Sequence, residues 1–490
     1  MDLDAWHTAG MSSASEDGSG PRSIPARVAL VGGPLLGVAL AALTHPDVGA
    51  WGGLSREAAI TLGLLGWMAG WWMLEAAPMA VTALLPAILL PLLGVGSVLD
   101  NARHYVDSVI FLFAGGGVMA LALERHGLTE RFTRALLALA GRSPVRVVAA
   151  VFAGTATLSA FMSNAAVTSM MIPIVAGVAA SVRVRDGVPA EIGARSGGHF
   201  ATVTMLCVAY ASTVGGTATI IGSPPNAIAA KWLTENGHAV DFLRWASFAT
   251  PLAIVMGVLS VVVLVRLHPM RGIECHARAD RGVPLGVAAV VTLGVFAAAV
   301  ACWITPVHLK SAMLVDGAVA AIAAALLMSV PVSSRGTPCL PWRETRRLPW
   351  GVYILFGGGL ALADAMQRTG LSQAIGQSFE GLGGTHAVLA LGAVVAAMVF
   401  ASEIASNTAL TATAVPIVGA LAPALGVPPE RLVIATALGA SLAFMLPVGT
   451  PPNAMVYATG RVSQRQMIRA GFLLDLVSIV VITVLAHTWL

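Results

Sequence analysis

Two short polar segments lie inside otherwise apolar stretches of this 490-residue sequence. Residues 159–165 read Ser-Ala-Phe-Met-Ser-Asn-Ala, and residues 402–408 read Ser-Glu-Ile-Ala-Ser-Asn-Thr. Hydroxyl and amide groups are costly in an apolar environment unless they find hydrogen-bond partners or bind a ligand. We therefore expect the two segments to be half-sites of one cavity that holds an ion and a substrate.

Each segment is predicted to be the tip of a re-entrant hairpin. A helix that ends within a membrane leaves carbonyl groups unpaired, and the next helix begins with free N–H groups. The carbonyl, serine and asparagine oxygens suit a hard cation such as Na⁺, and the N–H end suits a carboxylate. A purely structural role, in which small polar residues join helices, is the alternative for a single copy. Two copies, each with a proline ten residues after Ser163 or Ser406, favour a binding site.

A second motif also occurs twice, as Gly-Ser-Pro-Pro-Asn at residues 222–226 and Gly-Thr-Pro-Pro-Asn at residues 449–453. Two consecutive prolines remove two N–H donors, so no continuous helix can pass through them. A kinked structural helix is the simpler interpretation. The occurrence of both breaks in the same order as the two polar segments favours discontinuous helices that line a site.

The two halves of the chain are copies of each other. Residues 111–128 and 354–371 are identical at nine of eighteen positions, and residues 159–175 and 402–418 at eight of seventeen, both at an offset of 243. Chance similarity between apolar segments does not preserve asparagine, proline and paired glycines at one offset. We interpret the chain as an internal duplication. The glycine runs at residues 115–117 and 357–359 are expected to allow close helix packing, not to bind nucleotide.

The composition indicates a polytopic membrane protein, because 57% of the residues are hydrophobic and only 11% are charged. Nine apolar runs are long enough to span a bilayer, and the two broken helices bring the predicted number of spans to about eleven, plus the two hairpins. The runs lie near residues 27–44, 56–74, 78–99, 106–123, 247–267, 284–304, 311–332, 350–366 and 466–488. The polar residues 1–25 are predicted to be a disordered cytoplasmic tail.

Lysines and arginines set the predicted orientation. With the N-terminus in the cytoplasm, 21 of the 28 fall on the inner side and 7 on the outer side. Arg125 is then inside and its counterpart Arg368 outside, so the halves have opposite topology, as in the inverted repeats of secondary transporters. The protein is expected in the cell membrane (inner or plasma membrane), with its C-terminus on the outer side.

Acidic residues within apolar surroundings are further candidates. Glu403 is predicted either to tune cation affinity or to have a local structural role. Glu75 and Asp364 are weaker candidates for a direct role, whereas Asp316, Asp475 and Glu124 are expected at the membrane interface or in local pairs. The sequence contains no nucleophile–base pair of the kind that an intramembrane enzyme needs.

At these motifs the chain resembles the divalent anion/sodium symporter family of the ion-transporter superfamily, over roughly residues 55–488. The resemblance implies an all-α protein that forms a homodimer through a scaffold domain, with a transport domain that moves as an elevator. It divides the chain into a tail (1–25), scaffold helices (26–142 and 284–380) and transport-domain segments (143–267 and 385–488).

The resemblance also implies the ligands. The first Na⁺ site would comprise Ser159, Ser163, Asn164 and Gly222, and the second Ser402, Ala405, Asn407 and Gly449. The residues expected to meet the substrate carboxylates are Asn164, Ser406, Asn407, Thr408 and Pro451. Ala165 departs from the family pattern, because it stands where the first motif usually has a threonine.

The function expected from the resemblance is Na⁺-coupled symport of a small divalent anion, with a C4-dicarboxylate such as succinate, malate or fumarate favoured. No cofactor other than the coupling Na⁺ and no nucleic-acid partner is expected. The alternatives are an anion exchanger of the same fold without Na⁺ dependence and a proton- or sodium-linked permease for sulfate or another anion. A passive channel or an intramembrane enzyme is disfavoured by the duplicated broken helices and the lack of a catalytic set.

Overall fold

The computed structural model describes residues 24–46, 54–275, 284–305, 315–333, 336–378 and 387–488. Regular secondary structure in these ranges is almost entirely α-helical, as the resemblance implied. The predicted disordered tail lies almost wholly outside the described residues, and the first described helix begins at Ile24.

The first half of the chain leads up to the first hairpin and the first broken helix. Its helices are α1 (Ile24–Thr44), α2 (Arg56–Met73), α3 (Met79–Ala83), α4 (Leu85–Leu92), α5 (Val98–Ala102), α6 (Ser108–Arg125), α7 (Leu128–Ala140), α8 (Pro144–Ser159), α9 (Asn164–Ala180), α10 (Ala190–Thr217), α11 (Pro224–Glu235) and α12 (Phe242–Leu267).

The second half repeats the order of a long helix, a short amphipathic helix, a hairpin and a broken helix. Its helices are α13 (Val287–Ile304), α14 (Asp316–Ser329), α15 (Trp350–Arg368), α16 (Leu371–Ser378), α17 (Ala387–Ser402), α18 (Asn407–Leu421), α19 (Pro429–Ser441), α20 (Pro451–Ala458) and α21 (Gln464–Thr488).

Both predicted hairpins are present. Helix α8 ends at Ser159 and α9 begins at Asn164, while α17 ends at Ser402 and α18 begins at Asn407. We call residues 159–165 the first tip and residues 402–408 the second tip. Each tip joins helices of 15 to 17 residues, which the polar Ser-Asn sequence interrupts where an apolar helix would otherwise continue.

Both predicted breaks are also present. Helix α10 ends at Thr217 and α11 begins at Pro224, with Pro224 and Pro225 in its first turn, where a missing N–H costs nothing. Helix α19 ends at Ser441 and α20 begins at Pro451. Residues 218–223 are the first break and residues 442–450 the second break.

The two halves interlock around the breaks. In each half the hairpin packs on its own broken helix, α8 and α9 on α10, and α17 and α18 on α19. The outgoing half-helices cross to the other repeat, so that α11 packs on α18 and α20 packs on α9. Helix α10 is the most enclosed element, and every residue from Thr202 to Thr217 is buried.

The glycine runs have the predicted packing role. A Cβ atom on Gly115 of α6 would clash with the backbone of Ala320 in α14, and one on Gly358 of α15 would clash with the backbone of Ala83 in α3. These glycines are repeat counterparts, and each lets two helix backbones approach closely.

Two local features differ from the sequence predictions. The apolar run 78–99 contains two short helices, α3 and α4, instead of one span, because Pro86 in the first turn of α4 lacks the N–H that a continuous helix needs. A short antiparallel strand pair, Val182–Val184 with Ile273–Cys275, joins the loop after the first hairpin to the loop after α12.

Several of the described helices are apolar and long enough to cross a bilayer. Six of them reach 18 residues with high hydropathy, among them α1, α10, α12, α13 and α21. The hairpin helices α8, α9, α17 and α18 are apolar but shorter, with 15 to 17 residues each. This is consistent with segments that enter the membrane and return. The predicted eleven spans and their orientation stay predictions.

Candidate functional site

The first hairpin brings two of the predicted ligands, Ser159 and Asn164, to the first break. Ser159 is fully buried, and its Oγ lies 2.7 Å from Asn164 Oδ1 and 2.7 Å from the backbone oxygen of Ser212 in α10. Asn164, the first residue of α9, faces Gly216, where an added Cβ would lie only 2.5 Å from Asn164 Oδ1. The hairpin thus meets α10 at its final turn, directly before the break.

Backbone oxygens converge on Gly222. A Cβ atom on this residue would lie 2.6 Å from the oxygen of Gly216, 3.0 Å from that of Ser159 and 3.1 Å from that of Ala160. These oxygens come from the end of α8 and from the last turn of α10, where helix ends leave carbonyls without helical partners. Together with Ser159 Oγ and Asn164 Oδ1, they are the neutral hard oxygen donors that an alkali cation prefers. The residues present therefore fit a Na⁺ ion.

The fourth predicted ligand of this site, Ser163, is placed differently. It is exposed, and its Oγ accepts a hydrogen bond from the N–H of Ala166 at 3.4 Å, as the N-cap of α9. The structure gives its hydroxyl a capping role at the tip surface and does not bring it to Ser159.

Asn226 holds the first break in shape. Its side-chain amide donates to the carbonyls of Gly216 and Thr219, at 2.8 Å each, and reaches that of Thr217 at 3.4 Å. The hydroxyl of Thr219 in turn donates to the backbone oxygen of Ala160 in the first tip. Asn226 is fully buried, and its side chain links the first turn of α11 to the end of α10 and to the break.

The second tip is joined to the second break by a buried carboxylate. Glu403 Oε1 accepts hydrogen bonds from the N–H groups of Phe444 and Met445, and Oε2 accepts one from Leu446, all at 2.7 Å. Only 1% of the Glu403 surface is exposed. These three N–H groups lie in the second break, outside any helix, and the carboxylate gives them a charged acceptor.

Glu403 also borders the predicted second cation site. An added Cβ at Gly449 would lie 2.9 Å from Glu403 Oε2 and 3.3 Å from the oxygen of Leu446. Asn453, the counterpart of Asn226, donates to the carbonyl of Leu446 at 3.0 Å. The carbonyl of Leu446, the backbone of Gly449 and a carboxylate oxygen thus lie together in the second break.

The other predicted ligands of the second site are less closely assembled. Ser402 is buried, but its hydroxyl donates to the carbonyl of Val399 within its own helix, at 2.7 Å. Asn407 Nδ2 lies 3.5 Å from the oxygen of Ser441, and its Oδ1 is buried without a hydrogen-bond partner among the described residues. Ala405 is half-buried in the tip. Corresponding residues of the two repeats therefore lie at the same places in the two hairpins, but their side chains make different hydrogen bonds.

The residues predicted to meet the substrate are all at least partly accessible. Asn164, Ser406, Asn407 and Thr408 are half-buried, and Pro451 at the start of α20 is exposed. Ala165, the counterpart of Thr408, is also half-buried. Ser406 Oγ lies 3.6 Å from the sulfur of Met79 in α3, so the second tip contacts the first-repeat helices.

Of the other acidic candidates, three have hydrogen-bond or ion-pair partners and one is exposed. Asp316 accepts a hydrogen bond from the N–H of Phe242 at 2.8 Å, Glu124 pairs with Arg347 at 2.6 Å, and Asp364 pairs with Arg368 at 2.6 Å. These are local pairs, as predicted for Asp316 and Glu124. Glu75 is exposed at the end of α2 and has a positive φ of 49°.

The position of Asp475 differs from the sequence prediction. We expected it at the interface or in a local pair, but it is fully buried in α21, and its carboxyl group adjoins that of Glu403. Asn226, Asn453 and Asp475 were not predicted as site residues. The two asparagines carried a signal, because each follows a Pro-Pro pair, whereas nothing near Asp475 in the sequence points to Glu403.

Comparisons with known proteins identify the family of the chain. Residues 38–490 match the family described as "Sodium:sulfate symporter transmembrane region". The sodium-dependent dicarboxylate transporter SdcS of Staphylococcus aureus, from strains NCTC 8325 and COL among others, is 32% identical over 483 residues, which cover 95% of this chain and 92% of SdcS.

A solved structure has a similar fold. The crystal structure of the YdaH transporter of Alcanivorax borkumensis matches with a TM-score of 0.59 and 15% identity, covering 95% of this chain and 98% of YdaH. At that identity the likeness concerns the fold alone.

Proposed function

Because the chain belongs to the sodium:sulfate symporter family, a family of membrane transporters and not of enzymes, we propose that it carries a small divalent anion across the membrane together with Na⁺. The observation that carries this proposal is the set of backbone oxygens around Gly222, from Gly216, Ser159 and Ala160. Oxygens of two helix ends converge there, and the side chains that donate to them in the described part of the chain, Asn226 and Thr219, are neutral.

Na⁺ binding is proposed to precede anion binding. Residues 159–164 and 216–222 supply only neutral oxygens, and the second half-site adds the negative charge of Glu403. A dianion brought alone to such a site would meet carbonyl dipoles and a carboxylate, and burial of the unpaired charge is prohibitive. Bound cations would reverse the local potential, and the N–H ends of α9 and α18 would then attract the two carboxylates.

A C4-dicarboxylate is the proposed substrate. SdcS is named a sodium-dependent dicarboxylate transporter, and the second tip retains the Ser-Asn-Thr sequence at Ser406, Asn407 and Thr408. Sulfate is the second candidate, because the family description names it and Ala165 removes one hydroxyl from the first tip.

The movement is proposed to be an elevator with a homodimeric scaffold. The mutual packing of both hairpins with both broken helices supports one rigid transport unit, formed by residues 143–267 and 385–488. Such a unit would slide against residues 26–142 and 284–380. The protein would lie in the cell membrane with its N-terminus in the cytoplasm and its C-terminus outside.

A thermal-shift matrix tests the substrate. Purified protein is heated with succinate, malate, fumarate, citrate or sulfate, each in Na⁺ and in choline. We expect a C4-dicarboxylate to raise the melting temperature in Na⁺ and to have no effect in choline. Stabilisation by sulfate alone would select the second candidate, and equal stabilisation in both salts would favour the Na⁺-independent exchanger.

A further inference from the structure

A basic cavity lies apart from the two tips and the two breaks. It is formed between the first turns of α10, the end of α20 and the start of α21, and has a volume of about 620 Å³. The ionisable side chains that line it, Arg195, His199 and Arg461, are all basic. Thr202 Oγ1 donates to the backbone oxygen of Arg461 at 3.2 Å, which fixes the α20–α21 turn against α10.

The two guanidinium groups are available for a ligand. Among the ion pairs of the described residues, none involves Arg195 or Arg461, and both residues are exposed. His199 Nδ1 lies 3.0 Å from the backbone oxygen of Pro269, so this nitrogen carries the proton and Nε2 remains free. Two unpaired guanidinium forks within one cavity suit the oxygens of a phosphate group.

The start of α21 adds to the positive potential. Ser463 and Gln466 both line the cavity and cap the helix reciprocally, since the N–H of Ser463 donates to Gln466 Oε1 at 2.9 Å and the N–H of Gln466 donates to Ser463 Oγ at 3.3 Å. The positive end of this 25-residue helix therefore borders the cavity.

An exposed apolar stripe leads away from the cavity along α21. Starting from Gln466, the helical spacing places Arg469 and then Leu473, Leu476, Val480 and Val484 on one face. The four apolar side chains are exposed by 40–62%. A long apolar face on a membrane-spanning helix contacts acyl chains, and the basic cavity at its end lies where a lipid headgroup would be.

We propose that this cavity binds the phosphate of an anionic phospholipid, whose acyl chains lie along the α21 stripe. Arg195 and Arg461 bind the phosphate oxygens, and Arg469 lies between the headgroup and the apolar stripe. Because α10 and α21 both pack within the unit that contains the tips, the lipid would bind to that unit and not between it and the rest of the chain.

Native mass spectrometry of the full-length protein tests the proposal. The probes are phosphatidylglycerol, zwitterionic phosphatidylcholine and inorganic phosphate, each titrated onto delipidated protein. The variant is the double substitution Arg195→Gln and Arg461→Gln. The matched control is Arg266→Gln, which removes one exposed arginine from the end of α12 outside the cavity.

We expect the apparent Kd for phosphatidylglycerol to rise at least about tenfold in the double variant, since two charge-assisted contacts are lost, and to be unchanged in Arg266→Gln. Equal affinity for phosphatidylglycerol and phosphatidylcholine, or an unchanged Kd in the double variant, would overturn the proposal. Inorganic phosphate that competes fully at the same concentration would show a site for the free anion and would also overturn the lipid assignment.

A second double variant keeps the proposal testable if the glutamine variant does not fold. Arg195→Lys with Arg461→Lys keeps both charges but loses the fork geometry, and we expect a smaller rise in Kd, of about threefold. Circular dichroism melting and gel filtration verify that each variant is folded. An unchanged Kd in the folded lysine variant, together with loss of binding in Arg266→Gln, would show that the lipid binds outside this cavity.

Discussion

The carboxylate of Glu403 in the second hairpin tip accepts a hydrogen bond of 2.7 Å from the backbone N–H of Phe444 in the second break. The first half of the chain makes the corresponding junction with opposite polarity, because Thr219 in the break donates its hydroxyl to the carbonyl of Ala160 in the tip. Ala160 and Glu403 are repeat counterparts. The second half-site therefore has a negative charge that the first lacks, and the two sites should differ in cation affinity.

Replacing Glu403 by Gln tests that charge. Gln keeps the size but loses the charge, and it presents an NH₂ group to backbone N–H donors that need an acceptor. Hydrogen bonds to a charged group contribute about 1.5–3 kcal/mol each. We expect the half-saturating Na⁺ concentration for uptake to rise about tenfold or more. Glu57→Gln, at an exposed position on α2, is the matched control and should leave it unchanged.

Gly222→Ala tests the first cation site. The added methyl group would occupy the point where the oxygens of Gly216, Ser159 and Ala160 converge. We expect Na⁺ to lose most of its stabilising effect in thermal-shift measurements. Gly177→Ala, in α9 with no atom within 4 Å of the new methyl, should keep the full effect. A Gly222→Ala protein that Na⁺ stabilises like the wild type would remove this point from the mechanism.

Asn226→Asp tests whether the first break needs the hydrogen-bond donor of Asn226 or only the size of its side chain. Aspartate has the same size but cannot donate to the carbonyls of Gly216 and Thr219, and its charge would be buried. We expect a loss of stability of at least about 1–3 kcal/mol, seen as a lower melting temperature, with loss of the Na⁺-dependent shift. A fully stable aspartate variant would mean that the first break does not depend on this side chain.

Asn164→Ala and Asn407→Ala should each abolish transport while the protein is still expressed and folded. Asn164 touches Ser159 and faces Gly216, and Asn407 begins α18 with a buried oxygen that lacks a described partner. Ser169→Ala, on the exposed face of α9, is the control and should transport normally. Uptake by either asparagine variant at the wild-type rate would exclude that tip from substrate binding.

Ala165→Thr tests substrate choice. The substitution gives the first tip the hydroxyl that Thr408 provides in the second tip, at a half-buried position. One added hydrogen bond of about 0.5–1.5 kcal/mol corresponds to a rise in dicarboxylate affinity of about 2- to 12-fold. The KM for succinate should fall relative to that for sulfate, while Na⁺ dependence is unchanged. A fall in both KM values by the same factor would show that position 165 does not discriminate.

The hairpin ends and helix breaks could be predicted because they depend on local chemistry. A Ser-Asn pair in an apolar run and two consecutive prolines each stop a helix, and the helices end or begin at Ser159, Asn164, Ser402, Asn407, Pro224 and Pro451. Repetition in both halves then separated these signals from ordinary packing residues.

The contacts of the site could not be predicted, because they join residues that are distant in the sequence. Glu403 binds N–H groups 41 to 43 positions later, and Asp475 reaches it from a different helix. The resemblance implied a ligand role for both Ser159 and Ser402, which are repeat counterparts, yet Ser159 contacts Asn164 across the tip whereas Ser402 bonds within its own helix. Sequence similarity between repeats conserves the backbone path more closely than the side-chain hydrogen bonds.

Uptake of radiolabelled succinate into proteoliposomes, measured with an inward Na⁺ gradient and again with choline in place of Na⁺, is the most direct test of coupled transport. Na⁺-coupled symport predicts saturable accumulation in Na⁺ and uptake at the level of empty liposomes in choline. Equal succinate accumulation in the two salts would contradict it.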